Sequence, residues 1–428
     1  MKVFFYTLGC KVNQYESQSM SEDLVSRGFE TTHDFEEADV IVVNSCTVTS
    51  ESDRKTRQSV RRFRKNNPNC CIVLTGCMTQ AQPSIAEVLP QADIILGNNT
   101  NEKLFESIER FFKEKKQFTY ILPHLSAESF KGGVISRFDE RERAFLKIED
   151  GCDRFCSYCI IPYARGRVRS KSLEQIKEEI GDLSRNGYRE VVLVGINLSS
   201  YGKDTGNDLA DAVKIANDDP LIKRVRLGSL EPDSMTDGLI ERLKRFEKFC
   251  PQFHLSLQSG CDKTLKSMNR HYTAEEYEKL CKKLRECFDD ATITTDVMVG
   301  FPEESEEDFK QSLEFCEKIG FEKVHVFPFS PRHGTRAEKM EQIEKSVKES
   351  RAKRMAQRMD EIRSEFFRKQ IGKTLEVLVE SAFVGKKHVG YTKNYIPVIF
   401  KCDDSLVGET VKVKIESCEK EYCCGKLV

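Results

Sequence analysis

The sequence predicts an α/β protein in three parts: an amino-terminal parallel α/β sheet domain, a central partial (β/α)6 barrel, and a carboxyl-terminal small β-barrel of OB-like type. Three observations predict it. Strand-length runs rich in β-branched residues alternate with helical stretches over residues 1–115. The same alternation recurs six times over residues 138–335. From Gly372 the pattern changes to five short strand-like runs.

In the first part, Val3–Leu8, Val40–Asn44, Ile72–Thr75 and Ile94–Leu96 read as strands. Helices are expected at about 14–27, closed by Gly28, and at 51–65, 83–89 and 101–115. Residues 116–137, with Pro123, Gly132 and Gly133, read as a linker. In the second part, assigned residues 138–368, the strands are Ala144–Ile148, Glu190–Val194, Arg224–Leu227, Phe253–Leu257, Thr292–Val299 and Lys323–Pro328. Ser172 with Gln175 and Thr273 with Glu276 have capping-box spacing and mark two helix starts. Residues 337–370, charged and free of Gly and Pro, read as one long helix. In residues 370–428 the strand runs are LEVLVE, HVGYTKN, YIPVIF, ETVKVKIESC and YCCGKLV.

The chain has 428 residues, 39 % hydrophobic and 32 % charged, with a net charge of −1. That composition suits a soluble globular protein, and no apolar run approaches the ~20 residues of a membrane span. The start, MKVFFYTLGCKVNQY, is too short in its apolar stretch for a secretory signal and reads as a strand. A cytoplasmic location is therefore expected. Seventeen cysteines is a high and odd number. In a reducing compartment it points to metal binding rather than a disulfide framework. With the net charge so near zero, nucleic acid would have to be met by local basic patches.

Cys152, Cys156 and Cys159, in GCDRFCSYCIIPYARGR, follow directly on the first barrel strand, so their loop lies at the mouth where ligands bind. Three thiolates leave one iron of a four-iron cluster open for chemistry, whereas an electron carrier or a structural zinc wants four ligands. The competing readings are a zinc knuckle, which would lack a fourth ligand nearby, and three incidental thiols. Cys10, Cys46 and Cys77 are far apart, yet each closely follows an apolar strand. A parallel sheet brings such positions to one edge. Taken alone, they read equally well as small strand-end packing residues, since cysteine buries without function. The other eleven cysteines read as structural.

GCDRFCSYC at the end of a first barrel strand resembles the radical S-adenosylmethionine (SAM) enzymes. The resemblance implies a [4Fe-4S] cluster whose open iron chelates SAM and whose electron cleaves it to a 5′-deoxyadenosyl radical. It also implies Tyr158 beside the adenine. TLGCKVNQYES, NSCTVTSESDRKTR and LTGCMTQAQP resemble the amino-terminal domain of the methylthiotransferases. This implies a second [4Fe-4S] cluster on Cys10, Cys46 and Cys77, carrying the sulfur to be transferred. The last residues resemble a TRAM domain, which implies RNA binding.

Strand ends supply pocket candidates for SAM or substrate. Gly195 allows close backbone approach, and Asn197 stands where the family commonly has Gly-Gly-Glu, a partial match. Glu231 and Gln258 offer hydrogen bonds. For RNA, Arg54, Arg57 and Arg61 recur on one face of the helix after Cys46, with Arg64 and Lys65 beside them. Arg165, Arg167, Arg169 and Lys171 follow the second cysteine motif. The last part carries nine lysines and eight acidic residues, so its charge does not insist on RNA, but Tyr391 and Tyr395 offer stacking surfaces.

The resemblance implies methylthiolation of carbon 2 of an adenosine in the tRNA anticodon loop. One SAM gives methyl to the sulfur and a second is cleaved to abstract hydrogen. An electron donor and a sulfur source, both unidentified, are further partners. Cys10-Lys11-Val12-Asn13-Gln14 resembles the branch that modifies N6-threonylcarbamoyladenosine. The alternatives are the branches acting on isopentenyladenosine or on a ribosomal-protein aspartate. From other classes come a two-cluster redox carrier and a non-catalytic RNA-binding metalloprotein.

Overall fold

In the computed structural model the described residues are 1–125, 128–138, 143–383, 386–403 and 405–428. The start expected for the middle part, 139–142, two residues of the expected linker, and residues 384, 385 and 404 of the last part lie outside them.

The amino-terminal sheet is parallel throughout. Its strands run, in spatial order, Glu30–Thr31, Lys2–Thr7, Val40–Ser45, Cys71–Gly76, Ile94–Leu96 and Phe118–Tyr120. Alternation along the strands feeds two apolar layers. Ile41, Val43, Ile72 and Leu74 pack with Val60 and Phe63 of the helix Ser50–Asn66. Val40, Val42, Cys71 and Val73 pack with Met20 and Leu24 of the helix Lys11–Ser26 and with Leu104 and Ile108 of the helix Leu104–Glu114. The expected linker differs from the reading: it contains the edge strand Phe118–Tyr120, and its later described residues form a strap bonded both to the first domain and, through Ile135 N–H to Glu179 at 3.1 Å, to the next. Gly133 O of the strap accepts the Tyr15 hydroxyl at 2.5 Å, and Ser136 N–H donates to Glu22.

The middle domain forms six parallel strands in chain order. The third is divided at Gly228. Arg224–Leu227 pairs with Glu190–Val194, and Ser229–Leu230 pairs with Gln252–Leu255. Splitting one strand between two neighbours bends the sheet into a partial barrel. Both expected capping boxes form, at Ser172 and Thr273. The last helix is shorter than expected, Lys345–Arg368, preceded by a 3-10 turn at Arg336–Lys339. Tertiary structure wins there, because Ala337 N–H is held by Ser157 O of the cysteine loop. The helix joins two cores: Met355 and Met359 pack in the barrel, Phe367 in the small domain.

Five antiparallel and parallel-paired strands close the small barrel: Thr374–Phe383, Lys387–Thr392, Pro397–Lys401, Thr410–Cys418 and Cys423–Leu427. Its hairpin at Thr392–Ile396 caps the barrel floor, where the strands begin. Arg224 Nη1 donates to Tyr391 O at 2.7 Å, Arg226 Nη1 to Lys393 O at 2.9 Å, and Thr292 Oγ1 to Asn394 O at 2.7 Å. Tyr391 and Tyr395 stack on one another at 4.7 Å, with the Arg143 guanidinium over both rings. Their expected role in stacking bases is thereby corrected: these faces are occupied within the protein. Among the described residues, no helix is long and apolar enough to cross a membrane.

Candidate functional site

Strand register assembles the first thiol triplet. Thr7 pairs with Asn44, and Ser45 pairs with Gly76, so the chain leaves all three strands at the same edge. Cys10 then caps the helix Lys11–Ser26, Cys46 follows its strand directly, and Cys77 opens the short helix Cys77–Ala81. Two glycines permit the approach. A Cβ on Gly9, at φ +108°, would stand 2.8 Å from Cys46 Cβ, and one on Gly76, at φ +100°, would stand 2.4 Å from Ser45 O. The thiols sense each other: Cys10 acts on Cys46, and both act on Cys77. Burial pushes the Cys77 thiol up to about 12, against the pull of Arg165, and burial raises Cys46 as well.

Asn13 ties this triplet together. Its Nδ2 donates to Leu8 O at 2.8 Å and to Ser45 O at 3.1 Å, and its Oδ1 accepts from Cys10 Sγ at 3.7 Å.

The second triplet sits on one loop across the interface. Gly151, at φ +89°, turns the chain where a Cβ would meet Arg167 O at 1.9 Å. Cys152 N–H donates to Gly166 O and Cys159 N–H to Cys156 O, each at 3.0 Å. Ser157 anchors the loop to Met268 O and Ser267 O. Burial pushes the Cys152 thiol up to about 12 and raises Cys159 further.

The remaining predicted residues fall around these loops in different ways. Tyr158 packs edge-on to Phe301 at 6.4 Å. Asn197 Nδ2 donates to Cys152 Sγ at 3.7 Å, so its amide meets the sulfur itself. Gly195 makes room for a carboxyl group: a Cβ there would lie 2.5 Å from Glu149 Oε2. Glu149 accepts the Asn197 N–H at 2.7 Å, and burial raises it well above the carboxylate range. Glu231 is engaged by Arg270, whose Nη1 also donates to Cys156 Sγ at 3.3 Å. Gln258, at φ +68°, pairs through its backbone with the strand Thr292–Val299.

The expected RNA patches separate. Arg54, paired with Glu51, and Arg61 are exposed on the helix Ser50–Asn66, and Arg57 is half-buried beside them. Arg64 is instead held by Asp93 and by the Pro68, Cys70 and Gln91 carbonyls. Of the second patch only Arg167 is exposed, paired with Asp153. Arg165 and Arg169 are buried, which corrects their assignment to the RNA backbone. Lys171 is buried too, on Glu179. Basic residues following a metal-site motif look alike in sequence whether they face solvent or a partner domain.

Sequence reasoning missed what surrounds Arg165: Glu16, Lys147 and Asp150. A lysine and two acids within the apolar strand AFLKIED were the available signal, because charge in a buried strand needs partners. It also missed Arg332, whose Nη2 donates to Thr47 Oγ1 at 3.0 Å and pairs with Asp53, clamping the loop after Cys46 from the end of the sixth barrel strand.

Among the described residues, no three His, Cys, Asp or Glu side chains close on one point as a single-ion chelate requires. Each triplet offers thiols alone, with one buried guanidinium N–H directed at a sulfur. Soft thiolate donors with hydrogen bonds to sulfur fit iron–sulfur clusters.

A six-strand partial barrel with a three-cysteine loop at its mouth defines a radical SAM protein, and the Radical SAM superfamily matches residues 146–316. The uncharacterized protein family UPF0004 matches residues 2–97, and the TRAM domain matches 368–428. The threonylcarbamoyladenosine tRNA methylthiotransferase MtaB of Bacillus subtilis is 37% identical over 100% of this chain and 96% of its own. The tRNA-2-methylthio-N(6)-dimethylallyladenosine synthase of Clostridium perfringens is 37% identical over 99% and 96%. Among solved structures, the radical S-adenosylmethionine methyltransferase TsrM from Kitasatospora setae matches with a TM-score of 0.55, covering 76% of this chain and 72% of that one. At 14% identity, that likeness is one of fold. The chain belongs to the methylthiotransferase family of radical SAM enzymes.

Proposed function

We propose that the chain transfers a methylthio group to carbon 2 of N6-threonylcarbamoyladenosine next to the anticodon of tRNA. In this reading Cys152, Cys156 and Cys159 hold one [4Fe-4S] cluster, and Cys10, Cys46 and Cys77 hold a second. When bound, the first supplies reductive cleavage of SAM and the second carries the transferable sulfur. The observation that carries the reading is the convergence of Cys10, Cys46 and Cys77 at one sheet edge, in a domain bonded to the loop of the other triplet.

The chain's own residues set the conditions for that chemistry. Asn13 fixes the Leu8 and Ser45 carbonyls, so two of the three cysteine loops hold their spacing. Arg270 and Asn197 direct N–H groups at Cys156 and Cys152, and Tyr158 closes one side. Gln258 stands at the mouth for SAM or substrate. Arg54, Arg57, Arg61, Lys65 and Arg167 are the predicted basic groups left to meet the RNA backbone. An external electron donor and sulfur source complete the reaction, which takes place on tRNA in the cytoplasm.

The nucleoside branch rests on Lys11-Val12-Asn13-Gln14 and on the Bacillus subtilis relative. The equal identity of the Clostridium perfringens relative favours a second reading, on dimethylallyladenosine. Mass spectrometry of tRNA nucleosides from a deletion strain separates them. The account expects 2-methylthio-N6-threonylcarbamoyladenosine to vanish while its unthiolated form remains. Loss of the dimethylallyl product instead selects the second reading, and an unchanged nucleoside profile overturns both.

A further inference from the structure

Arg165 is a buried side chain that lies between the supports of the two cysteine loops. It ends the helix Ile161–Arg165, six residues after Cys159, yet its guanidinium lies inside the first triplet's supports. Every one of its five N–H groups has an acceptor. Nε donates to Cys77 Sγ at 3.2 Å. Nη1 donates to Glu16 Oε1 at 2.7 Å and to Asp150 Oδ1 at 3.1 Å. Nη2 donates to Asn13 Oδ1 at 2.8 Å and to Glu16 Oε2 at 3.0 Å. Asn13 is the residue that meets Cys10 and the carbonyl preceding Cys46. One cation thus reaches all three first-triplet cysteines, one directly and two through Asn13.

On its other side, Arg165 holds Asp150, which anchors the peptide leading into the second triplet. Asp150 Oδ1 accepts the Gly151 N–H at 2.9 Å, one peptide before Cys152. Lys147 Nζ donates to both Asp150 and Glu16 at 2.7 Å, and Arg169 stands 3.4 Å from Asp150, so the two carboxylates are balanced by buried cations. Two acceptors of Arg165 lie outside that balance, the neutral Asn13 amide oxygen and the Cys77 sulfur, and the sulfur is the one that carries negative charge on a cluster. A guanidinium N–H on sulfur stabilises negative charge there, and in a low-dielectric site its effect is large. Hydrogen bonds to sulfur and nearby net charge are the protein's means of setting a cluster's reduction potential.

We propose that Arg165 is a positioning residue that sets the redox poise of the cluster held by Cys10, Cys46 and Cys77, acting from the loop that carries the other triplet. This rests on the cluster assignment made above. Through Asp150 and Gly151 the same side chain couples the geometry of one cysteine loop to the electrostatics of the other. Glu16 is its main counterweight, and removing either partner shifts the charge balance beside the Cys77 sulfur in the opposite direction.

The test isolates the first triplet in a chain carrying Cys152→Ala, Cys156→Ala and Cys159→Ala, reconstituted anaerobically. A mediated redox titration followed by electron paramagnetic resonance then supplies one electron from the electrode. Arg165→Gln is expected to make the cluster harder to reduce, lowering the one-electron equilibrium constant about tenfold, which is ~59 mV for a one-electron couple. Glu16→Gln is expected to move the potential in the opposite direction. Arg165→Lys, which keeps the charge, is expected to restore most of the shift. Should Arg165→Gln fail to load iron, the opposed pair Glu16→Gln and Arg165→Lys decides the matter. Potentials of Glu16→Gln and of every iron-loading Arg165 variant that match the parent's overturn the proposal. A parent chain that binds no iron overturns the cluster assignment instead.

Discussion

The two triplets of cysteines are built in opposite ways. Cys152, Cys156 and Cys159 occupy eight consecutive positions, and one loop brings them together. Cys10, Cys46 and Cys77 span sixty-eight positions and meet only because three parallel strands are in register. The first kind of site is a property of a loop. The second is a property of a fold, and it exists only when the sheet does. Yet both end in the same local chemistry, with thiols alone and one buried arginine N–H on a sulfur, Arg270 on Cys156 and Arg165 on Cys77. Similar surroundings reached by unlike routes argue that the surroundings are what the chemistry requires.

The largest expected effect separates the triplets by product. Cys152→Ala abolishes both 5′-deoxyadenosine and methylthiolated nucleoside in an anaerobic assay. Cys77→Ala abolishes only the second, and wild-type levels of methylthiolated product from it would break the division of labour. Next comes a control remote from both sites. Arg226 is fully buried on Glu190 at the floor of the barrel, with Nε–Oε1 at 2.9 Å. Arg226→Ala removes the nearest cation of that buried carboxylate, leaving Arg143 and Arg224 at 3.9 and 4.0 Å, and should lower unfolding stability by about 3 kcal/mol. Iron bound per folded chain should stay unchanged, and selective loss of one triplet's iron would contradict the separation of floor from mouth.

Gly76→Ala probes the register-dependent site alone. Its φ of +100° and the Ser45 oxygen 2.4 Å from the new Cβ force a local shift costing on the order of 3 kcal/mol. Iron at the first triplet should fall while SAM cleavage persists, and Gly151→Ala should do the reverse. Equal losses at both triplets from either variant would show that the sites do not form independently.

The smallest effect is a pH dependence at the floor. Burial pushes the Glu380 carboxyl up to about 7, against the pull of Arg143. Its ordinary value is 4.5, so between those values the folded chain holds a proton that the unfolded chain releases. Stability is therefore lost as pH rises from about 4.5 to 7. Glu380→Gln should change stability little at pH 5 and raise it by about 2 kcal/mol at pH 8. Denaturant midpoints at the two values measure this, and equal gains at both would contradict the sign.

The contrast between triplets also explains what the sequence disclosed. The strands of the first domain, the six barrel strands and the five strands of the last part are written in apolar alternation and turn residues, which act over a few positions. Cys152, Cys156 and Cys159 share that locality. Cys10, Cys46 and Cys77 were legible only as strand ends, and resemblance supplied their role. The charged residues were the least legible. Arg165, Arg169, Tyr391 and Tyr395 read as surface groups for RNA because nothing within a few residues reveals that another domain covers them. The 3-10 turn at Arg336–Lys339 was misread for the same reason, since a hydrogen bond to Ser157 decides it. Long-range contact, rather than weak local signal, is where the reading failed.

The most direct test of the central claim is a count of iron and product on one variant. Cys10, Cys46 and Cys77 are changed together to alanine, and the chain is purified and reconstituted without oxygen. The account predicts that the roughly eight irons of the full enzyme fall to about four. It predicts that 5′-deoxyadenosine is still formed and that no methylthiolated nucleoside appears. A variant that keeps its full iron, or still makes the methylthio product, would show that the strand-end cysteines are the packing residues they otherwise resemble.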